Sequence, residues 1–324
     1  MATRHVNKSL RTIDENTWAV SEKYLLTRRR QQTEEGSGSH AWEDDEGWFY
    51  ALTEADAPLP PPHEIEQAVP FPLVYDAGGM TIYSGHAVWK VGDAFLKIIV
   101  PDSPLATREH VTLQSLSTET FSFAVPKVLF HDEWAGRYHI VLSEIPGKTV
   151  MEAWWEMSEN EKQTCAQRVA DACKELAAWR QNSQICGLDG KQLSENGFAT
   201  YAEDDDLDFS PGVLQERCAE LGMTCSSPFE FYHCDLSPGN VIWNGLEGHL
   251  GIIDWERAGF VPREWIRTNF IVAPGMSLDR LDLDHEENFQ WAVRMFDQLG
   301  DEGCPEVSDI YVVDRKRRWA QFNA

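Results

Sequence analysis

FYHCDLSPGNVIWNGLEGHLGIIDWERAGF, residues Phe231 to Phe260, decides how the rest of the chain is read. It holds Asp235, an amide five residues on at Asn240, and a second carboxylate fourteen further on at Asp254. The apolar runs Val241 to Trp243 and Leu250 to Ile253 predict two paired strands joined by a Gly-containing turn. That hairpin would swing Asp254 back towards Asn240. Asp235 can accept the proton of an attacking hydroxyl, while Asn240 and Asp254 offer oxygen ligands that suit a hard cation such as Mg²⁺. The three residue types together are what phosphoryl transfer from a Mg-nucleotide requires. His233 reads as a structural residue that bonds the loop backbone.

On His233-Cys234-Asp235-Leu236-Ser237-Pro238-Gly239-Asn240 and Ile252-Ile253-Asp254-Trp255-Glu256-Arg257-Ala258-Gly259, the chain resembles the aminoglycoside phosphotransferase-like family. This is also called the phosphotransferase enzyme family, and its members are small-molecule relatives of the protein kinases. Cys234 stands where protein kinases usually carry Arg and where the family commonly has Gly. Trp255-Glu256 replaces the Phe-Gly of protein kinases. The run Gly259 to Trp265 looks most like fungal members.

The resemblance implies an α+β, bilobal protein kinase-like fold, with a small β-rich N-lobe and a larger helical C-lobe that use ATP and Mg²⁺. It implies Lys97 on the α and β phosphates, held by Glu109, with Glu119 as the rival acid. It places Ser84 and the backbone amides of the short turn Tyr83 to His86 at the β-phosphate. In the stretch Leu142 to Gly147 it assigns the Glu144 carbonyl and the Ile145 N–H to the adenine edge. Asp235 becomes the catalytic base or hydroxyl-orienting acid, and Asn240 and Asp254 the metal ligands. Glu256 is left between a second metal and a salt bridge to Arg257 or Arg263. Trp255 to Trp265 runs on without an activation segment, which favours a small-molecule hydroxyl over a peptide as acceptor. The short phosphate turn keeps open a nucleotide-binding pseudokinase, and a protein kinase is the third reading.

Composition narrows the partners. The net charge of −25 argues against nucleic acid, whose phosphates need clustered Lys and Arg. Residues 1–30 are net basic, so the remainder is more acidic still. Asp204-Asp205-Asp206 with Asp208 reads as a solvated acidic loop that a cationic acceptor could use. Seven cysteines without a CxxC pair point to a reducing compartment and a cytoplasmic protein, not to a disulfide framework or a zinc site. No apolar run approaches the ~18 residues of a membrane span.

Residues 1–68 are polar, with Arg28-Arg29-Arg30, Gly36-Ser37-Gly38-Ser39 and a proline-rich break at Pro58 to Pro62. They read as a partly disordered extension. The N-lobe is expected over 69–144, and the helical C-lobe with its catalytic loop over 145–324. Met80 to Tyr83, Ala87 to Val91 and Ala94 to Ile99 are expected strands, with Gly92-Asp93 a tight hairpin. Ser103-Pro104 is expected to start the helix that carries Glu109. Lys127 to His131 and Arg137 to Glu144 complete the sheet. Ser158 and Glu161 form a capping box ahead of a helix that buries Cys165, Val169, Ala172, Cys173 and Leu176. Phe289 to Leu299 and Tyr311 to Phe322 are late helices.

Overall fold

The computed structural model describes residues 5–30, 40–55, 59, 71–76, 85–198, 200–201, 207–226, 228–273, 275–278 and 284–322. The fold is α+β: a β-rich unit, Met1–Pro104 with Pro126–Glu144, and a mainly helical one, Leu105–Val125 with Ile145–Ala324.

Two antiparallel sheets build the first unit. One contains β1 (Leu10–Asp14), β2 (Thr17–Val20), β3 (Tyr24–Arg29), β4 (Ala41–Glu43) and β5 (Phe49–Glu54), in the order β1-β2-β3-β5-β4. The other contains β6 (Leu73–Asp76), β7 (His86–Val91), β8 (Ala94–Ile99), β10 (Val128–Trp134) and β11 (Arg137–Ser143), in the order β10-β11-β8-β7-β6. The intervening β9 (Phe123–Ala124) belongs to the second unit. Gly92, at φ +60°, closes the β7–β8 hairpin in two residues, as the sequence predicts. Ala135 and Gly136, at φ +52° and +74°, close β10–β11 in a turn that matches strand twist.

The sheets share one core. Trp18, Val20, Tyr24, Leu26, Tyr50 and Leu52 of the first sheet are buried with Trp89, Val91, Leu96, Ile98, Phe130 and Val141 of the second. Each such side chain stabilises the fold by roughly 1.5–3 kcal/mol on burial. The N-terminal sheet therefore departs from the expectation of a partly disordered extension over 1–68. Pairs of apolar residues two apart, Trp18 with Val20 and Tyr24 with Leu26, give each strand one buried face. Apolar Ala19 and Leu25 blur the alternation, and the arginines Arg28 to Arg30 mask the strands in composition.

The second unit opens with a short anchored segment and α1 (Glu109–Leu116). Ser103 does not start this helix; its N-cap is Arg108 in an extended conformation. The reason lies in Leu105 to Thr107, which pair along Gln192. The Thr107 N–H donates to the Gln192 carbonyl at 3.0 Å, and the Gln192 N–H to the Leu105 carbonyl at 3.2 Å. The Thr107 hydroxyl donates to Asp189 Oδ1 at 2.5 Å. Gly187 lies so close beneath that a Cβ there would stand 1.8 Å from the Thr107 hydroxyl. These ties place 105–125 with the second unit, where the sequence reading had it in the N-lobe of 69–144.

Two small sheets follow. β12 (Lys148–Thr149), β18 (Val241–Trp243) and β19 (Leu250–Ile252) join β9 in the order β12-β18-β19-β9. β13 (Gln181–Asn182), β14 (Cys186–Gly187), β17 (Phe229–Tyr232) and β20 (Gly259–Val261) form the order β13-β17-β20-β14. A hairpin of β15 (Thr200–Tyr201) and β16 (Leu207–Asp208) stands apart. The helices are α2 (Val150–Ala153), α3 (Glu159–Trp179), α4 (Pro211–Glu220), α5 (Arg263–Val272), α6 (His285–Asn288), α7 (Gln290–Asp301) and α8 (Ser308–Phe322). α3 begins at the predicted capping box of Ser158 and Glu161 and buries the predicted face. Cys165 and Cys173 lie in that face, and all seven cysteines are free thiols. Among the described residues, no helix is long and apolar enough to cross a membrane.

Candidate active site

The site grows out of two strand ends. β17 buries Phe229, Phe231 and Tyr232, and delivers the chain into a loop at His233. His233 is fully buried: its Nε2–H donates to the Ile253 carbonyl at 2.9 Å, and its Nδ1 accepts from the Asp235 N–H at 3.2 Å. Both bonds fit one neutral tautomer, so His233 braces the loop against Ile253, just past the end of β19 and just before Asp254. The next residue, Cys234, is left-handed at φ +64°.

β18 and β19 pair antiparallel, Val241 with Ile252, as the apolar runs predict. This brings the strand ends together, and the Ile253 N–H donates to the Asn240 carbonyl at 3.0 Å. Asn240 turns its Nδ2–H to the Asp235 carbonyl at 2.9 Å, which leaves Oδ1 as the candidate ligand atom. Asp254 is also left-handed, at φ +65° and ψ 60°, and caps a 3₁₀ turn of Trp255–Arg257. The Trp255 ring is buried, and its Nε1–H donates to the Ile252 carbonyl at 2.9 Å.

Glu109 arrives from α1. It is 1% exposed, and its Oε1 accepts the Trp255 backbone N–H at 3.0 Å. Oxygens of Glu109, Asp254 and Glu256 all lie within 4.8 Å of one another. Three clustered carboxylates form a hard-donor set of the kind Mg²⁺ takes. Glu256 therefore joins the metal candidates. Burial pushes the Asp235 carboxyl up to about 7. Arg257 pulls it down, while Asp254, Glu195 and Glu256 push it further up. A carboxyl near neutrality can hold and release a proton under physiological conditions.

The remaining predicted residues stand as follows. Lys97 lies on β8 in the first unit and is 6% exposed. Leu96 and Ile98 on either side of it face the N-terminal sheet, so strand alternation puts Lys97 on the opposite face. Glu144 ends the first unit. Its N–H donates to the Asp93 carbonyl at 2.9 Å, and its carboxylate pairs with Lys90 at 2.7 Å. Ile145 begins the second unit and packs over Gly251, where a Cβ would meet its side chain at 2.7 Å. Ser84, with Gly78, Gly79 and Tyr83, lies outside the described residues, as do Asp204, Asp205 and Asp206.

Three residues of the site have no motif in the sequence. Glu195 is 4% exposed and accepts from the Gly197 N–H at 2.9 Å and from Trp265 Nε1–H at 3.4 Å. Burial raises its carboxyl, and Arg257 opposes the shift. Asn269 on α5 donates from Nδ2 to the Cys234 carbonyl at 2.7 Å. Trp291 on α7 donates from Nε1 to the Leu236 carbonyl at 3.1 Å. The available signal was a polar residue inside the buried run Trp265, Ile266, Thr268, Asn269, Phe270.

Comparison with known proteins gives a family match. The model described as "Phosphotransferase enzyme family" matches residues 84–265. Among solved structures, a thermostable mutant of aminoglycoside phosphotransferase APH(4)-Ia, in ternary complex with AMP-PNP and hygromycin B, is 16% identical. That match covers 72% of this chain and 80% of the other, with a TM-score of 0.46. The GDP and kanamycin complex of APH(2")-IIia is 14% identical over 72% of this chain and 78% of the other, with a TM-score of 0.44. The streptomycin–ATP–APH(2")-IIa ternary complex is 14% identical over 72% and 79%, with a TM-score of 0.41. No curated protein matches the chain.

Proposed function

This chain belongs to the phosphotransferase enzyme family, and from that premise we propose that it moves the γ-phosphate of ATP to a hydroxyl of a small molecule. The observation that carries the proposal is the β18–β19 hairpin. It bonds Asn240 to Ile253, the residue before Asp254, and Asn240 and Asp254 follow Asp235 by five and nineteen residues, which supports this reading.

In this reading Asp235 accepts the acceptor's hydroxyl proton at a carboxylate oxygen and aims the hydroxyl oxygen at the γ-phosphorus. Asn240 Oδ1, Asp254 and Glu256 are the groups that would hold Mg²⁺, which when bound offsets the charge of the phosphate oxygens. Glu109 keeps the Asp254 turn in place through the Trp255 N–H. Lys97 is assigned to the α and β phosphates, Ser84 to the phosphate turn, and the backbone of Glu144 and Ile145 to the adenine edge. Phosphoryl transfer is mostly positioning and electrostatics, so a few fixed groups suffice. The chain carries a net charge of −25, which suits a cationic acceptor, so an amine-bearing hydroxyl compound is the first acceptor class to try.

The full chain incubated with γ-labelled ATP, Mg²⁺ and pools of hydroxylated small molecules tests the proposal. The expected result is label on a low-molecular-weight product, abolished by EDTA. Label on generic peptides alone would overturn the acceptor class. Failure of millimolar Mg-ATP to raise the melting temperature would overturn nucleotide use, since a hundredfold excess over Kd stabilises by about 2.7 kcal/mol.

A further inference from the structure

Asp235 is held by its neighbours' backbone, and the way it is held points to a residue outside the motif. Three consecutive carbonyls of the loop each receive a side-chain donor: Cys234 from Asn269, Asp235 from Asn240 and Leu236 from Trp291. Asn240 belongs to the loop and moves with it. Asn269 and Trp291 come from α5 and α7, which pack on each other, and they grip the residues before and after Asp235.

The two grips are not equivalent. Cys234 is left-handed at φ +64°, a conformation that crowds the Cβ of any residue but glycine. Its thiol offers little in return, a weak contact to the Tyr232 carbonyl at 3.6 Å. The strain needs an outside restraint, and the Asn269 amide bonding the Cys234 carbonyl at 2.7 Å is one. Asn269 itself is fully buried, and its Oδ1 has no hydrogen-bond partner. A buried acceptor without a partner is unfavourable, so the amide does not serve the packing of α5. Its benefit lies at the nitrogen.

We propose that Asn269 is a positioning residue for Asp235, acting by holding Cys234 left-handed so that the following carboxylate is fixed in direction. The proposal rests on the phosphotransferase reading for its kinetic consequence, but not for its structural one.

The test is a double-substitution cycle in the full chain: Asn269→Leu and Asn269→Ser, each alone and combined with Cys234→Gly. Two readouts are taken, steady-state kinetics with Mg-ATP and amide hydrogen exchange across residues 235–240. Asn269→Leu should lower kcat by ~10-fold or more, the scale of a misplaced catalytic group. KM for ATP should stay within about twofold, since the nucleotide's assigned contacts are elsewhere. In the Cys234→Gly background the kcat loss should shrink severalfold, because glycine takes the left-handed conformation without strain. Exchange at 235–240 should accelerate in the single variants while exchange in α5 does not.

A purely structural role predicts the opposite pattern: equal losses in both backgrounds, with KM and kcat changing together and exchange rising in α5 as well. That result overturns the proposal. If Asn269→Leu does not fold, Asn269→Ser, smaller and still a donor, carries the comparison. If the wild-type chain phosphorylates nothing, the phosphotransferase reading falls. The exchange measurement then decides the role of Asn269 alone: unchanged protection at 235–240 rejects it.

Discussion

Two polar clusters of this molecule are built on opposite principles. In the first unit, the β2–β3 hairpin meets β10 and β11. There Lys23 pairs with Asp132 at 2.7 Å, the Tyr24 hydroxyl donates to the same carboxylate, and His139 Nε2 meets the Ser21 hydroxyl at 2.7 Å. Charge closes locally: one cation meets one anion, and the imidazole is kept neutral by burial. In the second unit, Asp235 has Asp254, Glu195 and Glu256 acting on it against Arg257, and Glu109 stands beside Asp254. There several carboxylates stand together, in place of one cation on one anion. A joint between sheets is built on a one-to-one ion pair, whereas the second cluster gathers acids, the kind of grouping that shifts carboxyl pKa values.

The sharpest way to break this comparison is to remove one charge from each cluster. Asp235→Asn should lower turnover by ~10²-fold or more, the scale of a positioned acid or base. Without metal, the same change should hold or raise the melting temperature, because it relieves repulsion among neighbouring carboxylates. Asp132→Asn should do the reverse, lowering the melting temperature while leaving kcat alone. Thermal melts and kinetics of both variants decide the matter. A destabilised Asp235→Asn would show that the acid cluster is structural.

Next in size is the N-terminal sheet. Trp18 is 1% exposed against Phe71 and the core of both sheets. Trp18→Ala should cost about 3–5 kcal/mol by urea unfolding, the range for large aromatics cut from a core. Removal of residues 1–54 should yield insoluble protein. A soluble, nucleotide-binding truncation would restore the reading of this region as a dispensable extension.

The pH response of the sheet joint should be nearly as large. Burial lowers His139 to about 4, below its unfolded value near 6.5. The unfolded chain therefore takes up the proton first. The contribution to stability is present in full above about 6.5 and is lost as pH falls towards about 4, some ~3 kcal/mol in all. His139→Gln should flatten that slope in urea melts between pH 7 and 4.5. An unchanged slope would move the titration elsewhere.

The smallest expected effect is Glu109→Gln. The side-chain carbonyl still accepts the Trp255 N–H, so stability should stay within about 1 kcal/mol. Loss of one carboxylate from the trio with Asp254 and Glu256 should raise the Mg²⁺ concentration needed for nucleotide stabilisation several-fold. No shift in a Mg²⁺ titration would remove Glu109 from the metal environment.

The parts that sequence discloses are those whose partners are near in the chain. Asp235, Asn240 and Asp254 lie within one loop and one hairpin, so spacing alone predicts their meeting. The capping box of Ser158 and Glu161 and the Gly92 hairpin are legible for the same reason. Glu109 was legible as a helix acid, but its bond to the Trp255 N–H spans 146 residues and goes to backbone. Backbone partners leave no mark in side-chain spacing. Asn269 and Trp291 escape notice on the same ground, since each donates to a carbonyl that any residue would present. The N-terminal sheet was hidden by chemistry: Arg28 to Arg30 and the Gly-Ser stretch dominate composition, and Ser21 and Glu22 turn at φ +51° and +63° without the glycine that usually announces such a turn.

The anchoring of Leu105 to Thr107 along Gln192 has a consequence for how such a gene can be recombined. The chain passes between its two units at three junctions, after residues 104, 125 and 144. A cassette encoding 1–144 exchanged between relatives would carry α1 with the wrong half. The grafted helix would bring a foreign acid to the Trp255 N–H and a foreign strand to Gln192. Shuffled libraries cut once at 144 should therefore be rich in inactive chimaeras, while those cut at all three junctions together should keep the inherited pair intact. The unit of inheritance here is interleaved in sequence, although each half is compact in space.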